Sequence, residues 1–142
     1  MNTFKFIEEK SDKGFNYIRS FVYKNYIKTA IEPENHEQKQ RIIFIANRFK
    51  SDFNNPMTAE CNGLILEHDI KNNTYRPLVI PMELFNSQPL NKSTIEYYYN
   101  QNVYKLYKVY DGTIINLYYY NNEWKISTNK AYEANNLLFT NN

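Results

Sequence analysis

Cysteine and histidine are almost absent from this sequence. The single cysteine, Cys61, excludes an intramolecular disulfide and makes a reducing compartment the default expectation. The two histidines, His36 and His68, lie far apart in the chain, and no spacing typical of zinc ligands is present. We therefore expect a structural or solvated role for all three residues and no metal site.

An excess of one charge and long apolar runs are lacking as well. The 142 residues include 17 basic and 15 acidic ones, and the net charge of +2 is too small to indicate nucleic-acid binding by itself. No stretch approaches the roughly 20 apolar residues of a transmembrane helix, and residues 1–13 lack the apolar run of a signal peptide. These absences predict a cytoplasmic protein that does not enter a membrane.

Aromatic residues are abundant instead, at 17% of the chain, with 14 tyrosines and 9 phenylalanines. The hydrophobic content of 42% is typical of a globular protein, and the length predicts a single domain over residues 1–142. The frequent asparagine, tyrosine, lysine and isoleucine residues have AT-rich codons. We hypothesise an AT-rich source such as a large DNA virus, in which case the protein would occupy the host cytoplasm.

The first half of the chain predicts one helix followed by short strands. Apolar residues recur at helical spacing over residues 12–29, with Ser11 as the N-cap, and predict an amphipathic helix that ends before Pro33. Runs of β-forming residues then predict strands at 40–47, 60–67 and 75–81.

Glycine and proline refine two of these strands. Gly63 indicates a bulge or a close approach of another backbone. Pro77 and Pro81 favour an edge position or strand ends, because proline cannot donate a hydrogen bond to a neighbouring strand.

The second half predicts a three-stranded antiparallel meander, with strands at 103–110, 113–120 and 123–128. The turns between them are Asp111-Gly112 and Asn121-Asn122, and Asp-Gly is a favoured hairpin turn. Residues 95–110 are predicted to continue this β-rich pattern, so the side chains of Tyr97–Tyr99 and Tyr118–Tyr120 should alternate across strands. The fold class predicted is α+β, a mainly antiparallel sheet with an N-terminal amphipathic helix.

Four segments carry a resemblance to a known superfamily. Glu60–Leu66, with Asn55-Pro56 before it, resembles an ECRG segment and its following strand; Glu83–Asn86 resembles KFFN; Lys108–Thr113 resembles a K-x-D-G motif; and Trp124–Asn129 resembles the strand after that motif. In this order they resemble the covalent nucleotidyltransferases, which are RNA ligases, DNA ligases and messenger-RNA capping guanylyltransferases. RNA ligases of the T4 RNA ligase 1 type are the most similar, over residues 55–135, and residues 1–50 would form an N-terminal helix and strand.

The resemblance implies a chemistry and a set of site residues. A lysine amine attacks the α-phosphate of ATP or GTP, with Mg²⁺ or Mn²⁺, and forms a lysine–nucleotide intermediate. Lys108 would be that nucleophile, and Asp111 and Gly112 would shape its loop. The pocket would be lined by Glu60 and Asn62, with Trp124 and Lys130 at its edge.

The sequence departs from the pattern of these enzymes at charged positions. In these enzymes the lysine stands two residues before the aspartate, and this chain has Val109 at that position. Lys108 is one residue closer to the N-terminus. Because strand side chains alternate, its amine would face the other side of the strand unless a bulge corrects it. Asn62 replaces the arginine of ECRG, and Glu83 replaces the lysine of KFFN. The later motifs of the superfamily have no counterpart in the chain.

Two functions remain open from the sequence. The first is an RNA ligase-like domain, degenerate or truncated, that retains nucleotide or RNA-end binding with weak or no catalysis. The second is a non-catalytic module that binds a protein or single-stranded nucleic acid through a tyrosine-rich sheet. Structural roles compete at three of the site residues: a solvated strand lysine for Lys108, a strand-end carboxylate for Glu60 and a core aromatic for Trp124.

Overall fold

The structure is a computed structural model that describes residues 2–33, 35, 37–82, 91–101, 108 and 112–135, with only the backbone of residue 94. The chain divides into two compact units. The first consists of Met1–Glu83 and Ile114–Asn142, and the second of Leu84–Thr113. Among the described residues, none of the helices is both long and apolar enough to cross a membrane.

Antiparallel strands dominate the first unit. Its helical segments are α1 (Asn2–Glu9), a 3₁₀ turn (Ser11–Lys13), α2 (Phe15–Lys24) and α3 (Pro56–Glu60). Its strands are β1 (Ile27–Ile31), β2 (Lys39–Ala46), β3 (Asn62–Asp69), β4 (Thr74–Val79), β5 (Ile115–Tyr120) and β6 (Glu123–Thr128). The first four strands form one antiparallel sheet in the order β1-β2-β3-β4, and β5 and β6 form a hairpin. The predicted α+β class is confirmed, and β4 lies at a sheet edge as its prolines predicted.

The core has two parts, one on each face of the four-stranded sheet. Because side chains alternate along a strand, neighbours in the apolar run of β2 point to opposite faces. Ile42 and Phe44 pack with Ile18 and Val22 of α2 on the first face. Ile43 packs with Tyr118 and Tyr120 of the hairpin on the second face, together with Ile65 and Val79. The β2 run is therefore buried on both sides.

The single helix predicted over residues 12–29 is wrong. Gly14 has a φ of 77° and separates the 3₁₀ turn from α2, which ends at Lys24. Tyr26, with a φ of 58°, then turns the chain into β1. The Ser11 hydroxyl donates to the carbonyl of Glu8 at 2.9 Å instead of capping α2. The left-handed conformations at residues 14 and 26 thus break a helical pattern that the apolar spacing alone would continue.

Part of the predicted meander is confirmed and part is wrong. The strands β5 and β6 meet at Asn121-Asn122, whose φ values of 50° and 60° fit a tight hairpin turn. Residues 92–100, in contrast, form helix α4 in the second unit, so Tyr97–Tyr99 do not alternate across a strand. An i,i+4 ion pair between Lys92 and Glu96, at 3.8 Å, supports this helix.

The first predicted strand of the meander, 103–110, falls almost entirely outside the described residues, as does Asp111. Gly112 forms a bend without a left-handed φ, and β5 begins at Ile115 and not at Thr113.

Gly63 makes both the bulge and the close approach predicted for it. The β2–β3 register shifts at this point, since Phe44 pairs with Leu64 and Ile45 with Asn62, which leaves Gly63 as the extra residue with a φ of 103°. A Cβ at this position would lie 2.8 Å from the Cα of Asn129, just after β6. Only glycine fits both constraints.

The hairpin is also tied to the sheet by a buried arginine. Arg41 of β2 is only 2% exposed. Its Nε donates to Glu32 Oε2 at 2.6 Å while Nη2 donates to Oε1 of the same carboxylate, and Nη2 also donates to Glu133 Oε2 at 3.1 Å. Its Nη1 donates to the hydroxyl of Tyr118 on β5 at 2.7 Å. One guanidinium therefore connects β2, the residue after β1, the hairpin and the segment after β6.

Two aromatic rings complete this arginine cluster. The Arg41 guanidinium lies 4.8 Å from the ring centroid of Tyr120 and 4.9 Å from that of Tyr132. Burial alone would lower the pKa of Arg41, but the hydrogen bonds with Glu32 and Tyr118 outweigh it and raise the pKa. The positive charge is thus kept in the interior.

We predict that Gly63→Ala destabilises the protein by roughly 2–4 kcal/mol, because alanine would be strained at this φ and its Cβ would collide with backbone. The measurement is chemical denaturation followed by circular dichroism. Gly112→Ala is the control, since Gly112 lacks a left-handed φ and no atom of the described residues beyond its chain neighbours lies within 4 Å of the added Cβ. Equal stabilities of the two variants would contradict the observed approach.

We predict that Arg41→Met lowers the free energy of unfolding by about 3–5 kcal/mol, because it removes the buried cation that pairs with the carboxylates of Glu32 and Glu133. The exposed Arg48 is a matched control, for which the same substitution should change stability by less than about 0.5 kcal/mol. A loss below 1 kcal/mol for Arg41→Met, in the same denaturation assay, would show that the hairpin does not depend on this charge.

Candidate functional site

The best-defined candidate site is the junction between the start of β3 and the segment after β6. Asn55 begins α3 by accepting a hydrogen bond from the Met57 amide at 3.0 Å, with Pro56 in the first turn. The short helix ends at Glu60, and β3 begins two residues later at Asn62. Gly63, the residue after Asn62, then lies in close contact with Asn129, the residue before Lys130. The fold therefore places Asn62 and Lys130 on two opposed segments.

A shallow groove adjoins Lys130. It has a volume of about 360 Å³, which falls within the range of small-molecule sites, and it is lined by Ala30, Ile43 and residues 130–133. Lys130 contributes an exposed cation to the lining of this groove, and Glu133 contributes a carboxylate. Because the Glu133 carboxylate already bonds to Arg41, the groove has one cation oriented toward solvent and one carboxylate held in an ion pair.

Glu60 has a structural partner. Its two carboxylate oxygens accept hydrogen bonds from the amides of Asn2 and Thr3, at 2.9 and 2.7 Å. These amides begin α1, where backbone N–H groups lack helical partners and a negative charge is favourable. The carboxylate predicted to line a nucleotide pocket is therefore held at a helix N-terminus.

Trp124 lies on the opposite face of the hairpin from the groove. Its side chain is 66% exposed, and its ring contacts that of Tyr119 edge-on, with centroids 5.5 Å apart. Trp124 stands four residues before Thr128, the last residue of β6, and four residues of extended strand span about 13 Å. The structure thus does not bring Trp124 together with Lys130, and it is not the core aromatic that was the structural alternative.

The residues of the K-x-D-G-like segment belong to the second unit. Lys108 and Gly112 are exposed, and Asp111 lies outside the described residues. Glu83, the counterpart of the lysine of KFFN, also lies outside them. The nucleophilic role of Lys108 and the loop role of Asp111 stay predictions.

Cys61 and His68 make structural contacts within the first unit. Burial raises the pKa of Cys61 to about 12, which makes its thiol a poor nucleophile. His68 stacks on Tyr75 with centroids 4.4 Å apart, its Nδ1 lies 3.1 Å from Gln40 Nε2, and burial lowers its pKa. No group of three or more His, Cys, Asp or Glu side chains that could hold a metal occurs in the described part of the chain.

Sequence reasoning missed three residues that shape this region, namely Arg41, Asn129 and Glu133. Arg41 had a visible signal, because it directly precedes the apolar run of β2 and a charge beside a buried strand needs a partner. Its partners Glu32 and Glu133 lie 9 and 92 residues away, so no local pattern identifies them. Asn129 belongs to the segment that resembles the strand after the K-x-D-G motif, but nothing in the sequence indicated its contact with Gly63.

Comparison with known proteins gives relatives from viruses. The chain is 27% identical over 117 residues to the "Putative bifunctional polynucleotide kinase/RNA ligase" of Autographa californica nuclear polyhedrosis virus, covering 78% of this chain and 16% of that protein. It is 28% identical over 85 residues to the "Putative RNA-ligase" of African swine fever virus (isolate Tick/Malawi/Lil 20-1/1983), covering 56% of this chain and 18% of that protein.

The chain therefore spans less than a fifth of the length of these relatives. Neither a protein-family profile nor a solved structure matches it. The similarity to viral proteins named for RNA ligation nevertheless confirms the RNA ligase-like resemblance that the order of the sequence motifs indicated.

Proposed function

We propose that this chain is an RNA ligase-like nucleotidyltransferase domain that retains binding of a nucleotide or an RNA end and has weak or no covalent transfer activity. The observation that carries the proposal is the similarity over 117 residues to a viral protein named for RNA ligation. Host cytoplasm is the location that fits a viral protein of this kind.

Binding would centre on the junction of β3 with the segment after β6. Lys130 supplies an exposed cation beside a groove of suitable volume, and Asn62 lies on the opposed segment with an amide that can donate and accept hydrogen bonds. Mg²⁺ or Mn²⁺ would arrive with the phosphates of ATP or GTP, because such ions are commonly held through substrate phosphates.

The chemistry would be weak because the charged partners of the reaction are missing or already engaged. Glu60 is bonded to the start of α1, and Asn62 stands where the similar enzymes have an arginine. Lys108 is exposed, whereas covalent transfer needs a lysine that is desolvated beside the α-phosphate. Removing one electrostatic contact to the transition state typically costs about 10²–10³ in rate.

A second function, stacking of single-stranded nucleic acid on tyrosines, has less support from the geometry. Tyr118 and Tyr120 are buried against the four-stranded sheet, and only Tyr119 of this run is exposed. Tyr97–Tyr99 are exposed on α4, which presents them on a helix and not on a flat sheet.

We predict that Lys130→Ala weakens binding of ATP and of a 5′-phosphorylated RNA about fivefold, the effect of losing one exposed charge contact worth about 1 kcal/mol. Fluorescence anisotropy at low salt measures it. Lys71→Ala is the control, because Lys71 is also exposed but lies in the turn at the far end of β3. Equal weakening in both variants would indicate nonspecific attraction and argue against a site at the groove.

We further predict no appreciable covalent adduct when the protein is incubated with α-labelled ATP or GTP and Mg²⁺ or Mn²⁺. Intact-mass analysis and gel detection would identify a lysine-linked nucleoside monophosphate, with Lys108→Ala as the control. A robust adduct that is lost in Lys108→Ala would overturn the assignment of weak activity and make the protein an active nucleotidyltransferase.

A further inference from the structure

The outer face of the β5–β6 hairpin is apolar and open to solvent. Five side chains point away from the four-stranded sheet, with exposed fractions of 39–66%: Ile115, Leu117, Tyr119, Trp124 and Ile126. Leu117 pairs with Ile126 and Tyr119 with Trp124 across the two strands, so the side chains are contiguous. We call these five residues the hairpin patch.

The hairpin patch is large for a surface that stays in water. With roughly 200 Å² for a fully exposed large side chain, the five fractions add up to an apolar area on the order of 600 Å², the upper end for the largest patch on a typical monomer. Phe49, which is 94% exposed, lies in the turn after β2 and is not one of the patch residues. The size of the patch therefore indicates a binding surface.

The charges of the hairpin exclude some partners. None of the five residues is charged, and the one cation of β6, Lys125, points to the other face, where its Nζ lies 2.6 Å from Glu123 and 3.6 Å from Glu133. Nucleic acids and anionic lipid surfaces are attracted mainly by exposed lysine and arginine. An uncharged apolar protein surface is the partner that this face fits.

We propose that the hairpin patch is a homodimer interface, in which a second copy of this chain packs its own hairpin patch against the first. Such a contact is related by a two-fold axis, so each surface meets an identical one, and the absence of charge removes any like-charge repulsion. Two patches would bury about 1,200 Å² in total, the lower end of the range for specific interfaces. The contact resembles the face-to-face packing of two β-sheets.

Sedimentation velocity and light scattering at increasing protein concentration test the proposal. The wild-type chain should approach twice its mass of 17.1 kDa at high concentration and dissociate on dilution through the micromolar range. Leu117→Glu, which puts a charge at the centre of β5 in the patch, should raise the dimer dissociation constant at least about tenfold. Phe49→Glu, an equally drastic change at an isolated exposed site, should leave that constant unchanged.

Trp124 supplies a second readout, because it is the only tryptophan in the chain and lies in the patch. Its emission should shift to longer wavelength and its quenching by acrylamide should increase as the dimer dissociates. In Leu117→Glu both signals should change from the monomer values only at concentrations at least about tenfold higher than in the wild type, while circular dichroism stays that of the folded protein.

Three results would overturn the proposal. They are a monomer at the highest concentration measured, a dimer that Leu117→Glu does not weaken, and Trp124 quenching that is independent of concentration while the mass doubles. The last two would place the contact on another surface.

Discussion

A buried positive charge holds the first unit together. Arg41 enters the interior between the sheet and the hairpin, where an unpaired charge would be very costly. Its hydrogen bonds therefore demand that Glu32, Tyr118 and Glu133 all reach it at once. The arginine stabilises the hairpin only in the one position that satisfies all three partners, so it specifies an arrangement as well as contributing energy.

This constraint fixes which face of the hairpin is available for binding. Tyr118 and Tyr120 must point inward to meet Arg41, by a hydrogen bond and by ring contact respectively. Because strand side chains alternate, Tyr119, Leu117 and Ile115 must then point outward. The apolar outer face is thus a direct consequence of the polar and aromatic inner one. A register slip by one residue would bury Leu117 and expose the hydroxyl partner of Arg41.

Local patterns in the sequence predicted those parts of the fold that depend on local chemistry. The apolar run of β2, the Asn121-Asn122 turn and the Gly63 bulge all follow from residues adjacent in the chain. The break in the N-terminal helix could not be predicted from apolar spacing, because it depends on left-handed residues at 14 and 26. Helix α4 was missed because a tyrosine run favours strands by propensity, while the Lys92–Glu96 pair supports a helix.

The candidate site was less predictable than the fold, and Glu60 shows why. Its place in an ECRG-like segment fits a pocket-lining carboxylate, but its actual partners are amides 57 and 58 residues earlier, at the start of α1. A motif defines which residue types are present, whereas the partner that a charged group finds is decided by tertiary contacts. The Gly63–Asn129 approach differs from the Glu60 contacts because it involves the backbone of both residues. It therefore does not depend on which side chains stand nearby. The close approach at Gly63 therefore fixes the backbone of this segment, while the Glu60 carboxylate beside it has a structural role at the start of α1. In the function proposed for this chain, binding would therefore depend on Asn62 and Lys130 and not on the carboxylate of Glu60, which is already bonded at the start of α1.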